Sequence, residues 1–202
     1  MNIVYLPSQL HLSYTSSVEI DVLQSIADEL FPDLENSEVR DETLYLYEPN
    51  ELIKFIHISK SKIGVIFSKE VVKTGSVESA WDDVEKLLLN LNPTKLKNYS
   101  LEVKVVKPFS AKKKIDQESK RLSPVKGFRA GSLTLYPDDD HSYFVKVSTV
   151  VKSKSNYGLM LNFKYLEPKL KINTVIEKLK ENISEFDDIE KVEAKVNGIL
   201  AL

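Results

Sequence analysis

The chain contains no cysteine. Disulfide staples, thiolate zinc sites and a cysteine nucleophile are therefore excluded, and the absence suits a reducing compartment. Glycine is scarce and scattered: Gly64, Gly75, Gly127, Gly131, Gly158 and Gly198 never cluster, so no glycine-rich phosphate loop can form. No Gly-x-Ser-x-Gly nucleophile elbow occurs either. Long hydrophobic runs are missing. The apolar stretches are short, as at Ile63 to Phe67, far below the roughly 20 residues a membrane-spanning helix needs. Met1-Asn2-Ile3-Val4 has neither the basic start nor the apolar run of a secretory signal. These absences lead to the expectation of a cytoplasmic protein without membrane contact, cofactor or metal.

What is present is ordinary in amount and uneven in distribution. With 42% hydrophobic and 29% charged residues, the chain can bury a globular core. Its net charge of −2 hides two unlike halves. Residues 1–100 carry 9 basic and 16 acidic side chains, whereas residues 101–202 carry 19 and 14. The excess concentrates in residues 101–130, with 9 basic against 3 acidic. Such a segment is either a solvated surface or a polyanion-binding patch.

The chain also repeats itself. Leu44-Tyr45-Leu46-Tyr47 is matched 89 residues later by Leu133-Thr134-Leu135-Tyr136, and Val84-Glu85-Lys86-Leu87 is matched 92 residues later by Ile176-Glu177-Lys178-Leu179. Ile58-Ser59-Lys60-Ser61 meets Val151-Lys152-Ser153-Lys154 at nearly the same spacing. A fixed period of this length implies two copies of one unit, residues 1–98 and 99–202, fused into one body.

Periodicity supplies the elements of each copy. Residues 1–14 read as extended on either side of Pro7. Ser16 with Glu19 forms a capping-box pattern opening a helix from about Val18 to Phe31, stopped by Pro32. The acidic stretch 33–42 reads as a loop. Strands follow at about Thr43–Tyr47, Leu52–Ser59 and Ile63–Phe67, with Val71 and Val72 extending the third or forming a fourth. Ser76 precedes the clearest amphipathic helix, with Val77, Ala80, Trp81, Val84, Leu87, Leu88 and Leu91 on one stripe.

The second copy opens on Leu101–Phe109 and continues through Ala111–Leu122, a basic helix or loop. Strands recur at about Gly131–Tyr136, Ser142–Val151 and Gly158–Leu166. A helix capped by Thr174 and Glu177 closes the copy, and the alternating tail Val192, Ala194, Val196 suggests an edge strand. The expected fold is α+β: a duplicated β-α-β-β-β-α unit forming a curved antiparallel sheet, with helices packed on one face and the other face free.

Two resemblances attach to particular segments. Ile66-Phe67-Ser68 through Val72-Lys73-Thr74-Gly75, with the order of elements, is similar to a repeat of the TATA-binding protein family. That likeness implies a saddle-shaped tandem-repeat topology. The family's DNA-wedging phenylalanine pairs have no counterpart here. Asp28–Pro32, Leu44–Tyr47 with Phe55–Ser59, the Trp-centred helix Ser79–Leu91 and the strand Leu101–Lys107 together resemble a sporadically distributed prokaryotic family of unknown function. That resemblance implies no catalytic residue.

The chemistry-bearing residues are few. His11 and His57 fall in strands, and His57 alternates out of phase with Ile56 and Ile58, toward solvent or the polar sheet face. His141 follows Asp138-Asp139-Asp140 in a hairpin turn, the one meeting of carboxylates and imidazole, but the spacing of a calcium loop is absent. No catalytic residue is assigned, and a non-enzymatic protein is expected. The candidate nucleic-acid contacts are Lys107, Lys112, Lys113, Lys114, Lys120, Arg121, Lys126 and Arg129, preceded by Lys104 and flanked by Phe109 and Phe128. Clustered lysines attract phosphates by counterion release, and aromatic rings stack on bases. A sequence pI near 6.0 argues against a dedicated nucleic-acid domain. The leading expectation is a non-catalytic accessory or regulatory protein acting through a protein partner or self-association, with nucleic acid as the alternative.

Overall fold

The computed structural model describes residues 3–74, 77–91, 93, 95–109, 112–121, 132–136, 143–153 and 156–201. The strands are β1 (Val4–Tyr5), β2 (Gln9–Thr15), β3 (Asn36–Arg40), β4 (Thr43–Tyr47), β5 (Ile53–Ile58), β6 (Lys62–Phe67), β7 (Lys95–Phe109), β8 (Ser132–Leu135), β9 (Tyr143–Ser153) and β10 (Asn156–Pro168). The helices are α1 (Ile20–Leu30), α2 (Lys69–Thr74), α3 (Val77–Leu91), α4 (Lys112–Arg121), α5 (Ile172–Ser184) and α6 (Ile189–Ala201). The protein is α+β, with all ten described strands in one antiparallel sheet of order β3-β4-β5-β6-β2-β7-β10-β9-β8, and β1 added beside β7.

Strand alternation decides where the core lies, because successive side chains point to opposite faces. Leu10, Leu12 and Tyr14 of β2 are buried, as are Leu44 and Leu46 of β4, Ile63, Val65 and Phe67 of β6, Tyr99 to Val105 at odd positions of β7, and Leu159, Leu161 and Phe163 of β10. The helices cover this face. Ala80, Trp81, Val84, Leu87, Leu88 and Leu91 of α3 are buried, together with Leu23 and Ala27 of α1 and Val175, Leu179 and Ile183 of α5. Polar hooks fix the layer. Asn182 on α5 donates to the Tyr99 hydroxyl at 3.2 Å in the interior. The Tyr5 hydroxyl donates to the carbonyl of Phe186 at 3.0 Å. Lys195 of α6 pairs with Glu185 and lies 5.1 to 5.4 Å from the ring centres of Tyr143, Phe163 and Phe186, a cation held against aromatic faces.

Several expectations are corrected. Residues 36–40 form edge strand β3 rather than a loop, paired residue by residue with β4. Val71 and Val72 lie in helix α2, and Ser68 Oγ accepts the Glu70 N–H at its start. Ser16 does not cap α1, which has Glu19 at its N-cap with no side-chain bond; the Ser16 hydroxyl donates instead to the Leu91 carbonyl at 2.7 Å, tying the end of α3 to the segment that follows β2. The α5 N-cap is Lys171, and the Thr174 hydroxyl donates back to the Lys171 carbonyl. The tail is helix α6, burying Val192, Val196 and Leu200 at every fourth position. Strand β7 starts at Lys95 rather than Leu101 and ends, as expected, at Phe109. Ser76 lies outside the described residues. No described helix is long and apolar enough to cross a membrane.

Candidate binding face

The opposite face of the sheet is built from the residues that alternate with the core. From β3 to β2 one row runs Glu38, Tyr45, His57, Gly64, His11, and continues to Ser100 on β7. The neighbouring row runs Asn36, Tyr47, Phe55, Ile66, Gln9, Glu102, Lys164, Phe144. Tyr45, Phe55, His57, Ile66 and Phe144 are half-buried, whereas His11 and Tyr47 are exposed. The covered face instead buries its side chains almost completely.

Five rings on this face touch in series. Tyr45 and Tyr47 lie 6.1 and 5.3 Å from Phe55, Phe55 lies 5.9 Å from His57, and His57 lies 6.1 Å from His11. The last contact spans strand β6, and only a glycine there allows it. A β-carbon on Gly64 would stand 2.0 Å from His57 Cε1. Burial lowers the His57 pKa, and the neighbouring His11 and Lys62 lower it further. Burial also lowers that of His11. Glu102 opposes the effect, and Lys164 and Lys104 reinforce it. Both imidazoles are therefore shifted toward the neutral form.

The middle of the face is charged. Glu102 receives Lys164 at 2.8 Å, Lys104 at 3.5 Å and the Asn162 amide at 3.1 Å. Burial pushes the Glu102 carboxyl up, but these hydrogen bonds and charges outweigh burial and hold it below its ordinary value. Beyond it, Lys164 lies 5.9 Å from the Phe144 ring centre, and Phe144 contacts Tyr136 at 5.6 Å.

The described members of the predicted basic set lie on β7 and α4. Alternation along β7 sends Lys104 to the open face and Lys107 to the other, where it donates to Asn197 of α6 at 2.6 Å and lies 6.0 Å from the Phe109 ring centre. Lys112, Lys113, Lys114, Lys120 and Arg121 all belong to α4. Lys114 and Lys120 are exposed, and Arg121 pairs with Glu118 at 3.0 Å. Lys126, Arg129, Phe128, His141 and its aspartates lie outside the described residues. Sequence reasoning placed His57 correctly toward the polar face but missed Tyr45, Tyr47, Phe55 and His11 as its neighbours. The available signal was the second residue type in each alternation, as in Leu44-Tyr45-Leu46-Tyr47.

A separate cleft of about 520 Å³ lies between Pro93, Lys95 and Leu96 on one side and Lys169, Leu170 and Lys171 on the other. Among the described residues its lining offers ammonium groups, the Asn173 amide and aliphatic surface, with no carboxylate or imidazole to work as a base. Among the described residues no group of three or more His, Asp or Glu side chains could hold a metal ion. No family model matches the chain, and no curated protein matches it.

Proposed function

We propose that this is a non-catalytic cytoplasmic binding protein, accessory or regulatory in role, whose open sheet face takes up a protein partner. The observation that carries the reading is the series of five touching rings from Tyr45 to His11 on a face that no core contact requires. Partly exposed aromatics are costly to leave in water and are enriched in protein interfaces, where rigid rings contribute area at little entropic cost. The test is a pull-down with purified chain as bait, with and without nuclease, compared with a Tyr47→Ser/Phe55→Ser variant. A nuclease-resistant partner held by wild type and lost by the variant supports the reading. A partner retained equally by both refutes the assignment to this face.

A second reading, nucleic-acid binding through segment 104–129, is favoured by one observation: Lys114 and Lys120 project from α4 with no ion pair to a described residue.

We also propose that the two halves are copies of one unit. Each runs strand, helix, then strands ending in a long helix: β2, α1, β4, β5, β6, α3 against β7, α4, β8, β9, β10, α5. The sheet order β4-β5-β6-β2 meets β7-β10-β9-β8 with the two leading strands adjacent. Leu44–Tyr47 and Leu133–Leu135 occupy corresponding strands, consistent with a saddle-like tandem repeat. Among the described residues, strands β1 and β3 and helices α2 and α6 have no counterparts in this pairing. An experimental structure with β4 and β8, or α3 and α5, in unlike places would end this reading.

A further inference from the structure

The geometry points to His11 and His57 as a two-imidazole site for one divalent transition-metal ion of the zinc, nickel or copper class. The site is independent of which partner the face takes.

The two side chains come from β2 and β5, strands separated by β6. Where an intervening side chain would stand, β6 carries Gly64, in register with both histidines. The rings are 6.1 Å apart and tilted by 43°. His57 is half-buried and His11 exposed, so a site shared by the two rings opens to solvent. Two imidazoles on one ion, with metal–nitrogen bonds of about 2.0–2.1 Å, place their ring centres roughly 5–6 Å apart. The observed 6.1 Å lies at the upper end of that range.

The donor type selects the metal. Neutral imidazole suits zinc, copper and nickel, whereas calcium and magnesium demand oxygen ligands. The carboxylate acting most strongly on His11 is Glu102, but its oxygens are engaged by Lys164, Lys104 and Asn162. Glu102 therefore offsets part of the charge of Lys104 and Lys164 and is not counted as a ligand. Two coordination positions remain for water or for a donor brought by a bound molecule.

The test is calorimetric titration of the full, tag-free chain with zinc chloride at pH 7.5, followed by NMR of the histidine ring protons. The expected result is one ion per chain, with ring signals of two of the three histidines moving. His11→Gln and His57→Gln should each weaken binding by about tenfold or more. His141→Gln should leave it unchanged. Circular dichroism without metal shows whether each variant is folded, and the ring signals of the wild-type chain give a readout that needs no variant. Absence of binding to wild type overturns the proposal. So does an affinity left unchanged by either His11→Gln or His57→Gln.

Discussion

The imidazole of His57 lies over Gly64, so close that a β-carbon at that glycine would stand 2.0 Å from His57 Cε1. Gly64 has no left-handed backbone that would itself require glycine, so the reason for the residue is space. Gly64→Ala is expected to push the ring aside, break the contact with His11 and cost about 1–2 kcal/mol by overpacking. In a His57→Ala background the same change should cost close to nothing. Urea titrations of the four chains give the coupling, and equal costs in both backgrounds would remove His57 from the explanation.

Trp81 is only 1% exposed, at the centre of the α3 stripe. Trp81→Ala should destabilise the fold by about 3–5 kcal/mol. Thermal melting checks this, and an unchanged midpoint would mean that the indole does not pack in the core.

The buried pair Tyr99 and Asn182 gives a prediction with opposite signs. Tyr99→Phe removes the acceptor of the Asn182 amide and should cost about 1–3 kcal/mol, because a buried donor is left unsatisfied. Adding Asn182→Leu should recover part of that loss. Chemical denaturation of single and double variants decides the matter, and a double variant less stable than Tyr99→Phe alone would count against it.

Glu102 should make stability depend on pH in the acid range. Its folded pKa is lowered, so its ion pairs stabilise the protein above the ordinary glutamate value near 4.5 and are lost as pH falls through the lower folded value. Glu102→Gln is therefore expected to be less stable than wild type at pH 7, with the gap closing toward pH 3. Parallel melting curves for the two proteins across that range test the sign.

Helix α4 separates the two functional readings. If the basic segment binds nucleic acid, changing Lys112, Lys113 and Lys114 to glutamate should abolish binding while the fold survives, and wild-type affinity should fall steeply with salt. The protein-partner reading expects no binding of wild type to single- or double-stranded DNA or RNA at low salt. Fluorescence anisotropy with labelled oligonucleotides distinguishes them.

Much of the sheet was legible because its strands alternate cleanly. In β4 and β6 every second residue is a buried aliphatic or aromatic side chain. Strand β3 was not legible, since Asn36, Ser37, Val39 and Arg40 are exposed and an edge strand buried on neither face shows no period of two. The tail failed for another reason. Val192, Ala194 and Val196 alternate, but the buried set is Val192, Val196 and Leu200, whose spacing is helical. The open face was legible only in part. Nothing local tells that His57 meets His11, because the contact depends on which strands flank β6 and on the missing side chain of Gly64.

Strand β7 occupies the middle of the sheet, with β2 and β1 along one edge and β10 along the other. During synthesis, residues 9–67 leave the ribosome well before Lys95–Phe109. Until then the outer edge of β2 has no partner, and its row of unpaired amides and carbonyls is open to any neighbouring nascent chain. Completion of the sheet waits on pairing such as Leu10 with Leu101, a closure over a long loop and intrinsically slow. A fragment ending before Lys95 should thus be recovered mainly in inclusion bodies, and translational pausing upstream of that codon should lower the yield of native protein.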